Sequence, residues 1–468
     1  MTDFLQGLAA IVGEANVLTS PEDVAPFLRD HRGRFEGRAR AVVRPGDTQE
    51  LAAVVAACSA ARVPMVPQGG NTGLCGGATP DGSGEALVIA LGRMKRVRAI
   101  DLENDTITVE AGCTLAQVQA AAAEVGRLYP LSLASEGSCQ VGGNLSTNAG
   151  GVHVLRYGNA REMVLGLEVV LPDGRVWDGL RGLRKDNTGY DLKHLFIGAE
   201  GTLGFITAAV LKLFPRPKTR AVAWVAVPDV ERAVRLLGQV RAGAGERLIA
   251  FELISRATLE IVLRQIPGSH DPLPGASPWI VLMELADSDQ NADLAALIER
   301  ILAPVLMAND ATDAAIASSE AQAQALWALR ENASEAQKRE GVSIKHDVSV
   351  PVSRIPEFIA RAGVALEEAF PGIRIVAFGH VGDGNLHYNC SMADAAANKS
   401  LVDRQSEVNR VVHDIVHSLK GSISAEHGLG QLKREEVTHY KAALELDLMR
   451  SIKQSFDPLG LMNPGKVL

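Results

Sequence analysis

Short apolar runs alternate with glycine-rich turns through the first half of the chain. Ala41-Val42-Val43, residues 86–91 and residues 106–110 have the length and β-branched content of strands, and the alanine-rich stretches between them read as helices. The segment Phe214-Pro215-Arg216-Pro217-Lys218 interrupts this pattern. Two prolines flanking a charge suit a surface connection and cannot continue a central strand. A domain boundary is therefore expected near 216–220. Beyond it, strands are predicted over 221–227, 250–254, 280–285, 373–378 and 386–390, and the stretch 342–350 is also β-like. Helices are predicted over 230–241, 256–264, 291–302, 399–420 and 444–456. This order implies an α+β unit built on an antiparallel sheet. Asp457-Pro458-Leu459-Gly460 terminates the last helix, and the tail is expected to return to the first domain. The predicted division is 1–217 (core 40–215), 218–440 and 441–468.

Composition narrows the function classes. A chain of 468 residues exceeds one ordinary core. With 47% hydrophobic and 22% charged residues it is expected to fold throughout. A net charge of -8 supplies no broad basic surface, which argues against a nucleic-acid or anionic-membrane partner. No apolar run approaches the roughly 20 residues of a bilayer span, so no transmembrane segment is expected. The opening MTDFLQGLAAIVGEANVLTS contains Asp3 and Glu14 and no basic n-region before an apolar core. It reads as a first helix, not an export signal. Five scattered cysteines (Cys58, Cys75, Cys113, Cys139, Cys390) form no CxxC pair. They suit a reducing compartment, and the cytoplasm is the expected location.

Three glycine-dense loops carry the first chemical signal. Pro67-Gln68-Gly69-Gly70-Asn71-Thr72-Gly73-Leu74-Cys75-Gly76-Gly77 follows a β-like stretch, and such a loop brings backbone N–H groups close to phosphate oxygens without side-chain obstruction. It has neither the G-x-x-x-x-G-K-[ST] pattern nor the G-x-G-x-x-G spacing before a long helix. Alone, it would be as well read as a pair of tight turns. Residues 135–151, containing Gly137, Gly142, Asn148, Gly150 and Gly151, and residues 198–207, GAEGTLGFIT, repeat the small-residue pattern. Three such loops point to one extended ligand. Together they closely resemble the FAD-binding domain of the vanillyl-alcohol oxidase and p-cresol methylhydroxylase superfamily, in which the dinucleotide lies between two α+β subdomains. The resemblance implies that Gly69, Gly70, Asn71, Thr72 and Gly73 form the pyrophosphate loop, with Pro67 just before it also binding the cofactor. It also implies that Gly137, Gly142, Asn148, Gly150 and Gly151 lie along the flavin and Ile206 near the adenine. Members with covalent FAD commonly carry His after the paired glycines. Asn71 occupies that position here, and an amide cannot form the bond, so non-covalent FAD is expected. Cys139 reads as a packed structural thiol.

The second half carries Gly379-His380-Val381-Gly382-Asp383-Gly384-Asn385-Leu386-His387-Tyr388-Asn389. Asp383-Gly384 is a turn signal between apolar strands, and a reversal there brings His380 and His387 together. Period 2 places His387 and Asn389 on one face. Ser424-Ala425-Glu426-His427-Gly428 adds a carboxylate, and two imidazoles with one carboxylate are the ligand set of a metal site with an open position. A divalent metal on a substrate hydroxyl would lower its pKa, His427 could take the proton, and hydride would pass to flavin N5. His413 and His417, at i and i+4 in a helix without a nearby carboxylate, read as exposed. In Trp327-Ala328-Leu329-Arg330-Glu331-Asn332-Ala333-Ser334, Arg330 and Ser334 share a predicted helix face, and Lys345 follows. In isolation these would be solvated charges.

The second half resembles the C-terminal domain of FAD-linked D-2-hydroxyacid dehydrogenases, a group that includes D-lactate, D-2-hydroxyglutarate and glycolate-type enzymes. By that resemblance His380, His387 and Glu426 bind the metal and His427 is the catalytic base. Zinc is the metal implied, although the three side chains also suit manganese or iron. Arg330, Ser334, Lys345 and Asn389 match substrate-binding positions. Arginine grips a carboxylate bidentately and lysine adds a point charge, which favours D-2-hydroxyglutarate over the alternatives D-lactate and glycolate. Ser334 departs from a threonine in the relatives, losing a methyl group and keeping the hydroxyl. A non-catalytic flavin-binding subunit is the rival from another class. The fold implied is α+β: a two-subdomain FAD-binding domain of the vanillyl-alcohol oxidase type plus a C-terminal α+β substrate cap domain with an antiparallel sheet. An electron-transfer flavoprotein or similar acceptor is the implied partner, and a homodimer, common among relatives, is left open.

Overall fold

The computed structural model describes residues 2–468, and the chain divides into two compact units. The first takes the residues up to Gly150, then Gly158–Arg216 and Glu426–Leu468; the second takes Gly151–Tyr157 and Pro217–Ala425.

Two sheets make the first unit. One has the order Val17–Leu18, Ala41–Val43, Leu87–Ala90, Met65–Gln68, and its last three strands are parallel. Burial on both faces explains why these strands read as continuous apolar runs. Helix Thr48–Ala61 connects Ala41–Val43 to Met65–Gln68; Asp47 caps its start by accepting from the Gln49 and Glu50 amides, and Arg62 ends it in the left-handed region. The other sheet is antiparallel, in the order Val97–Asp101, Thr106–Glu110, Phe205–Lys212, Val164–Val170, Val176–Gly179. Glu168, buried in this sheet, accepts from Thr48 Oγ1 at 2.6 Å, Thr207 Oγ1 at 2.8 Å and Arg98 at 3.0 Å. Burial opposes its ionisation, but these partners outweigh that and lower its pKa.

The second unit is built on one seven-stranded antiparallel sheet. Its order is Asp313–Ile316, Thr219–Val227, Trp279–Asp287, Leu248–Ser255, Arg374–Gly379, Asn385–Ser391, Asp347–Ser349. Trp224, Ile254, Leu282 and Phe378 lie in one buried cluster with Leu326, Trp327 and Leu329 of helix Glu320–Glu331.

Several elements differ from the sequence reading. The β-like stretch 342–350 contributes only Asp347–Ser349 as a strand. The predicted helix over 399–420 is two helices, Ala395–Asp403 and Gln405–Ser418, separated at Arg404. His413 is 3% exposed, not a surface residue, because it faces inward from the second helix with its ring 5.4 Å from that of His346; His417 is exposed. The chain re-enters the first unit at Glu426, earlier than the predicted 441. The Glu200 carboxylate accepts the Leu429 and Gly430 amides at 2.7 and 2.8 Å and ties this segment into the first unit.

Candidate functional site

Within the first unit, Met65–Gln68 runs directly into Gly69-Gly70. A Cβ on Gly70 would lie 2.0 Å from the Ser138 carbonyl oxygen, so the first glycine loop is pressed backbone to backbone against the second. Asn71 takes φ +51 and donates through Nδ2 to the Arg29 carbonyl at 2.8 Å. Its amide is thus a structural tie, and its conformation is one that asparagine tolerates better than most residues. Pro67 and Thr72 are half-buried and Gly73 is exposed. Gly142 sits in the short helix Val141–Ser146, where its missing side chain admits Ala111. Asn148, at φ +50, accepts the Arg161 amide at 3.0 Å. Gly150 closes a segment of the first unit and Gly151 opens the short segment that belongs to the second. Ile206 has its side chain in the core and its main chain paired opposite Val169, so only its backbone is available to a ligand.

These loops fit a dinucleotide on two counts. A Cβ on Gly73, Gly137 or Gly143 would meet nothing within 4 Å, which leaves room beside exposed backbone. Gln140 Oε1 and Asn144 Nδ2 are buried without a hydrogen-bond partner among the described residues. Buried polar atoms are normally satisfied, and a polar ligand in this glycine cradle would satisfy them. Gln140 and Asn144 were not singled out from the sequence, where an amide in a glycine-rich run carries no distinct signal. Cys139 is buried and forms no disulfide, a packed thiol.

In the second unit, strands Arg374–Gly379 and Asn385–Ser391 form the hairpin that carries the two histidines. Their ring centroids are 5.8 Å apart. Gly384 makes the reversal at φ +94, with Asn385 donating through Nδ2 to Asp347 Oδ1 at 2.9 Å. Asp347 pairs directly opposite His387.

His380 Nδ1 lies 2.7 Å from Glu252 Oε1, and Arg330 Nε donates to Glu252 Oε2 at 2.7 Å. An ionised carboxylate only accepts, so Nδ1 of His380 carries a proton whether the ring is charged or neutral, and in the neutral ring Nε2 is the nitrogen with a lone pair to offer a metal. This is the arrangement in which a carboxylate orients a ligating histidine, and the donor chemistry fits a divalent metal. Burial opposes ionisation of Glu252, but the charges and hydrogen bonds of His380 and Arg330 outweigh it and hold the carboxyl at about 2. The Arg330 guanidinium also lies 4.9 Å above the Phe378 ring. Glu252 was missed in the sequence because a single acid inside the run Ala250-Phe251-Glu252-Leu253-Ile254 reads as an ordinary strand residue.

The other sequence-singled positions are less closely grouped. Asn389 is buried and donates through Nδ2 to Gln337 Oε1 at 2.8 Å. Lys345 is half-buried. Arg330 and Ser334 do not share a helix face: helix Glu320–Glu331 ends at Asn332 and a second helix, Ala333–Glu340, begins. Arg330 is buried and Ser334 exposed. Ala425 donates its amide to the Asp347 carbonyl at 3.2 Å and is the last residue of the second unit; Glu426 and His427 follow it along the chain. In the first unit, Cys75 Sγ donates to the Gly428 carbonyl at 3.4 Å, just beyond His427.

Comparison with known proteins gives two family matches. The family described as "FAD binding domain" matches residues 39–179, and that described as "FAD linked oxidases, C-terminal domain" matches residues 216–467. A D-2-hydroxyglutarate dehydrogenase of the bacterium Xanthomonas citri is 38% identical over 100% of this chain and 97% of its own length. The mitochondrial D-2-hydroxyglutarate dehydrogenase of Bos taurus is 38% identical over 100% of this chain and 83% of its own. That of Arabidopsis thaliana is 36% identical, covering 98% and 80%. Among solved structures, p-cresol methylhydroxylase with substrate bound superposes with a TM-score of 0.77 at 16% identity, covering 100% of this chain and 96% of its own. The fold is therefore that of the vanillyl-alcohol oxidase and p-cresol methylhydroxylase type.

The location expected from the cysteines does not stand. Relatives from cattle and Arabidopsis are named mitochondrial. Unpaired cysteines report a reducing environment and do not distinguish one such compartment from another. Among the described residues, no helix is long and apolar enough to cross a membrane.

Proposed function

Because the chain belongs to the FAD-linked oxidase family, among the FAD-dependent D-2-hydroxyacid dehydrogenases, we propose that it oxidises D-2-hydroxyglutarate to 2-oxoglutarate with the help of a divalent metal. The observation that carries the substrate assignment is the full-length likeness to enzymes named for that acid, at 38% identity. The buried Arg330 supports it. Glu252 engages only its Nε, and neither Nη donates to a protein acceptor among the described residues. Both remain available for a carboxylate.

His380, His387 and Glu426 are the proposed metal ligands, with zinc the metal implied by the resemblance. Lys345, Asn389 and Ser334 are proposed to bind the substrate with Arg330. Pro67, Gly69, Gly70, Asn71, Thr72, Gly73, Gly137, Gly142, Asn148, Gly150, Gly151 and Ile206 are proposed to hold FAD without a covalent bond. Bound FAD would supply the two-electron acceptor for the hydride that leaves substrate C2, and a divalent metal held by His380, His387 and Glu426 would supply a Lewis acid for the C2 hydroxyl. His427 accepts the hydroxyl proton while the carbinol becomes a carbonyl, so the substrate loses one hydride and one proton. Arg330 and Lys345 fix the carboxylates so that the C2–H bond keeps one orientation. An electron-transfer flavoprotein or similar carrier is the proposed acceptor.

The test is the anaerobic visible spectrum as D-2-hydroxyglutarate, then D-lactate, is added with and without chelator. Loss of the long-wavelength flavin absorbance with the dicarboxylate, abolished by chelation and restored by zinc, is the expected result. Bleaching by D-lactate alone would overturn the substrate, and bleaching unaffected by thorough metal removal would overturn the metal. His427→Ala should keep its FAD and lose reduction by at least about 100-fold; loss of FAD instead would remove it from the role of base.

A further inference from the structure

Glu252 lies on strand Leu248–Ser255, whose register against Arg374–Gly379 pairs Ile254 with Phe378 and Leu253 with Gly379. The next position along that register sets Glu252 beside His380. Glu252 is 0% exposed. One oxygen faces His380 Nδ1 and the other takes Arg330 Nε–H, each at 2.7 Å. A carboxylate buried only to neutralise an arginine would best use the paired guanidinium fork. Here the ion pair is made through Nε alone, and the second oxygen goes to an imidazole.

We infer that Glu252 is a positioning residue that couples the metal ligand His380 to the carboxylate-binding Arg330, fixing the histidine tautomer and the guanidinium orientation through opposite oxygens of one rigid carboxylate. This rests on the reading of His380 and Arg330 given above. It deepens that reading by making the distance from metal to substrate carboxylate a property of one side chain. The sheet holds Glu252 on a central strand, and Phe378 holds the guanidinium plane from the adjacent strand. Neither partner can shift without straining the other. A substrate carboxylate on the two Nη groups is therefore presented at a fixed reach from the imidazole, and this geometry selects among 2-hydroxy acids by the length of the chain between hydroxyl and distal carboxylate.

The experiment compares Glu252→Gln and His380→Ala with the unaltered holoenzyme. Zinc affinity is read by competition with a chromophoric chelator, FAD content from the visible spectrum, and kcat and KM with D-2-hydroxyglutarate and D-lactate. E252Q should keep FAD, bind zinc about 10–100-fold more weakly, as proteins do on losing the outer carboxylate of a ligating histidine, and raise KM for the dicarboxylate about 10-fold more than for D-lactate. Zinc lost by H380A but bound normally by folded E252Q, with KM unchanged, overturns the inference and leaves the proposed function intact. Zinc retained by both variants overturns the ligand assignment and the inference with it. A measurement that needs no folded E252Q is nitrogen-15 NMR of histidine-labelled, zinc-free protein, with His380 assigned by its absence in H380A. The Nδ1–H tautomer is expected, and an Nε2–H tautomer would overturn the proposal.

Discussion

Two glycines three residues apart in the first loop separate folding from binding. A methyl group on Gly70 would lie 2.0 Å from the Ser138 carbonyl, whereas one on Gly73 would meet nothing within 4 Å. Gly70→Ala must push the two backbones apart, and overpacking of this kind costs about 1–3 kcal/mol. It should lower the melting temperature of the FAD-free protein and, with the loops displaced, lose FAD. Gly73→Ala should leave that melting temperature within about 1 °C yet weaken FAD, because the methyl would occupy space the pyrophosphate needs. Thermal denaturation and the ratio of flavin to protein absorbance distinguish the two; unchanged FAD content in G73A would remove Gly73 from the cofactor loop. The glycine-dense loop was legible in the sequence because residue type is itself the signal: only glycine allows an approach as close as that of Gly70 to the Ser138 backbone. Glu252 and Glu200 were not legible. Their importance lies in partners 128 and 229 or 230 positions away, and a lone carboxylate has no periodicity to announce it.

At the level of elements, the hairpin that carries His380 and His387 depends on Gly384. Its φ is +94, and a Cβ there would lie 2.4 Å from the Val350 carbonyl oxygen. Gly384→Ala therefore combines a left-handed strain of about 1 kcal/mol with a clash against a neighbouring segment. The expected result is loss of zinc binding while the flavin, whose proposed loops lie mainly in the other unit, stays bound; metal analysis and the visible spectrum of the purified variant read both. Zinc retained at full occupancy would mean that the hairpin mouth does not set the ligand geometry. The hairpin itself was readable, since Asp383-Gly384 between apolar runs is a local signal. Where local signals ended, the reading failed. The helix face joining Arg330 and Ser334 was assumed continuous, but Asn332 interrupts it. His413 was read as exposed because nothing near it in sequence shows that the face of its helix packs toward His346.

For the molecule as a whole, the first unit is discontinuous, and the segment Glu426–Leu468 completes it. Met65, in the strand that leads to the first glycine loop, donates its amide to the Leu461 carbonyl at 2.8 Å, and its own carbonyl accepts from Asn463 at 2.7 Å. Asn463 Nδ2 donates to the Gly77 and Glu200 carbonyls at 2.9 and 2.8 Å. Lys453 donates to the Thr202 carbonyl at 2.7 Å, and Phe456 packs edge-on against Phe196 with ring centroids 5.3 Å apart. The tail thus borders two of the three glycine-rich loops, those at 69–77 and 198–207. A fragment ending at Arg216 has the strands and loops that read from sequence as an FAD domain, yet exposes the Met65 edge and leaves these backbone groups without partners. It should be poorly soluble and carry no FAD after purification. Co-expression with a second fragment, residues 426–468, should recover soluble protein with a flavin spectrum, because these contacts run directly between the two fragments and not through the second unit. If fragment 1–216 alone holds FAD at full occupancy, the tail only caps an already formed site; if the pair fails where the full chain succeeds, the covalent path through 217–425 is itself needed to bring the two fragments together.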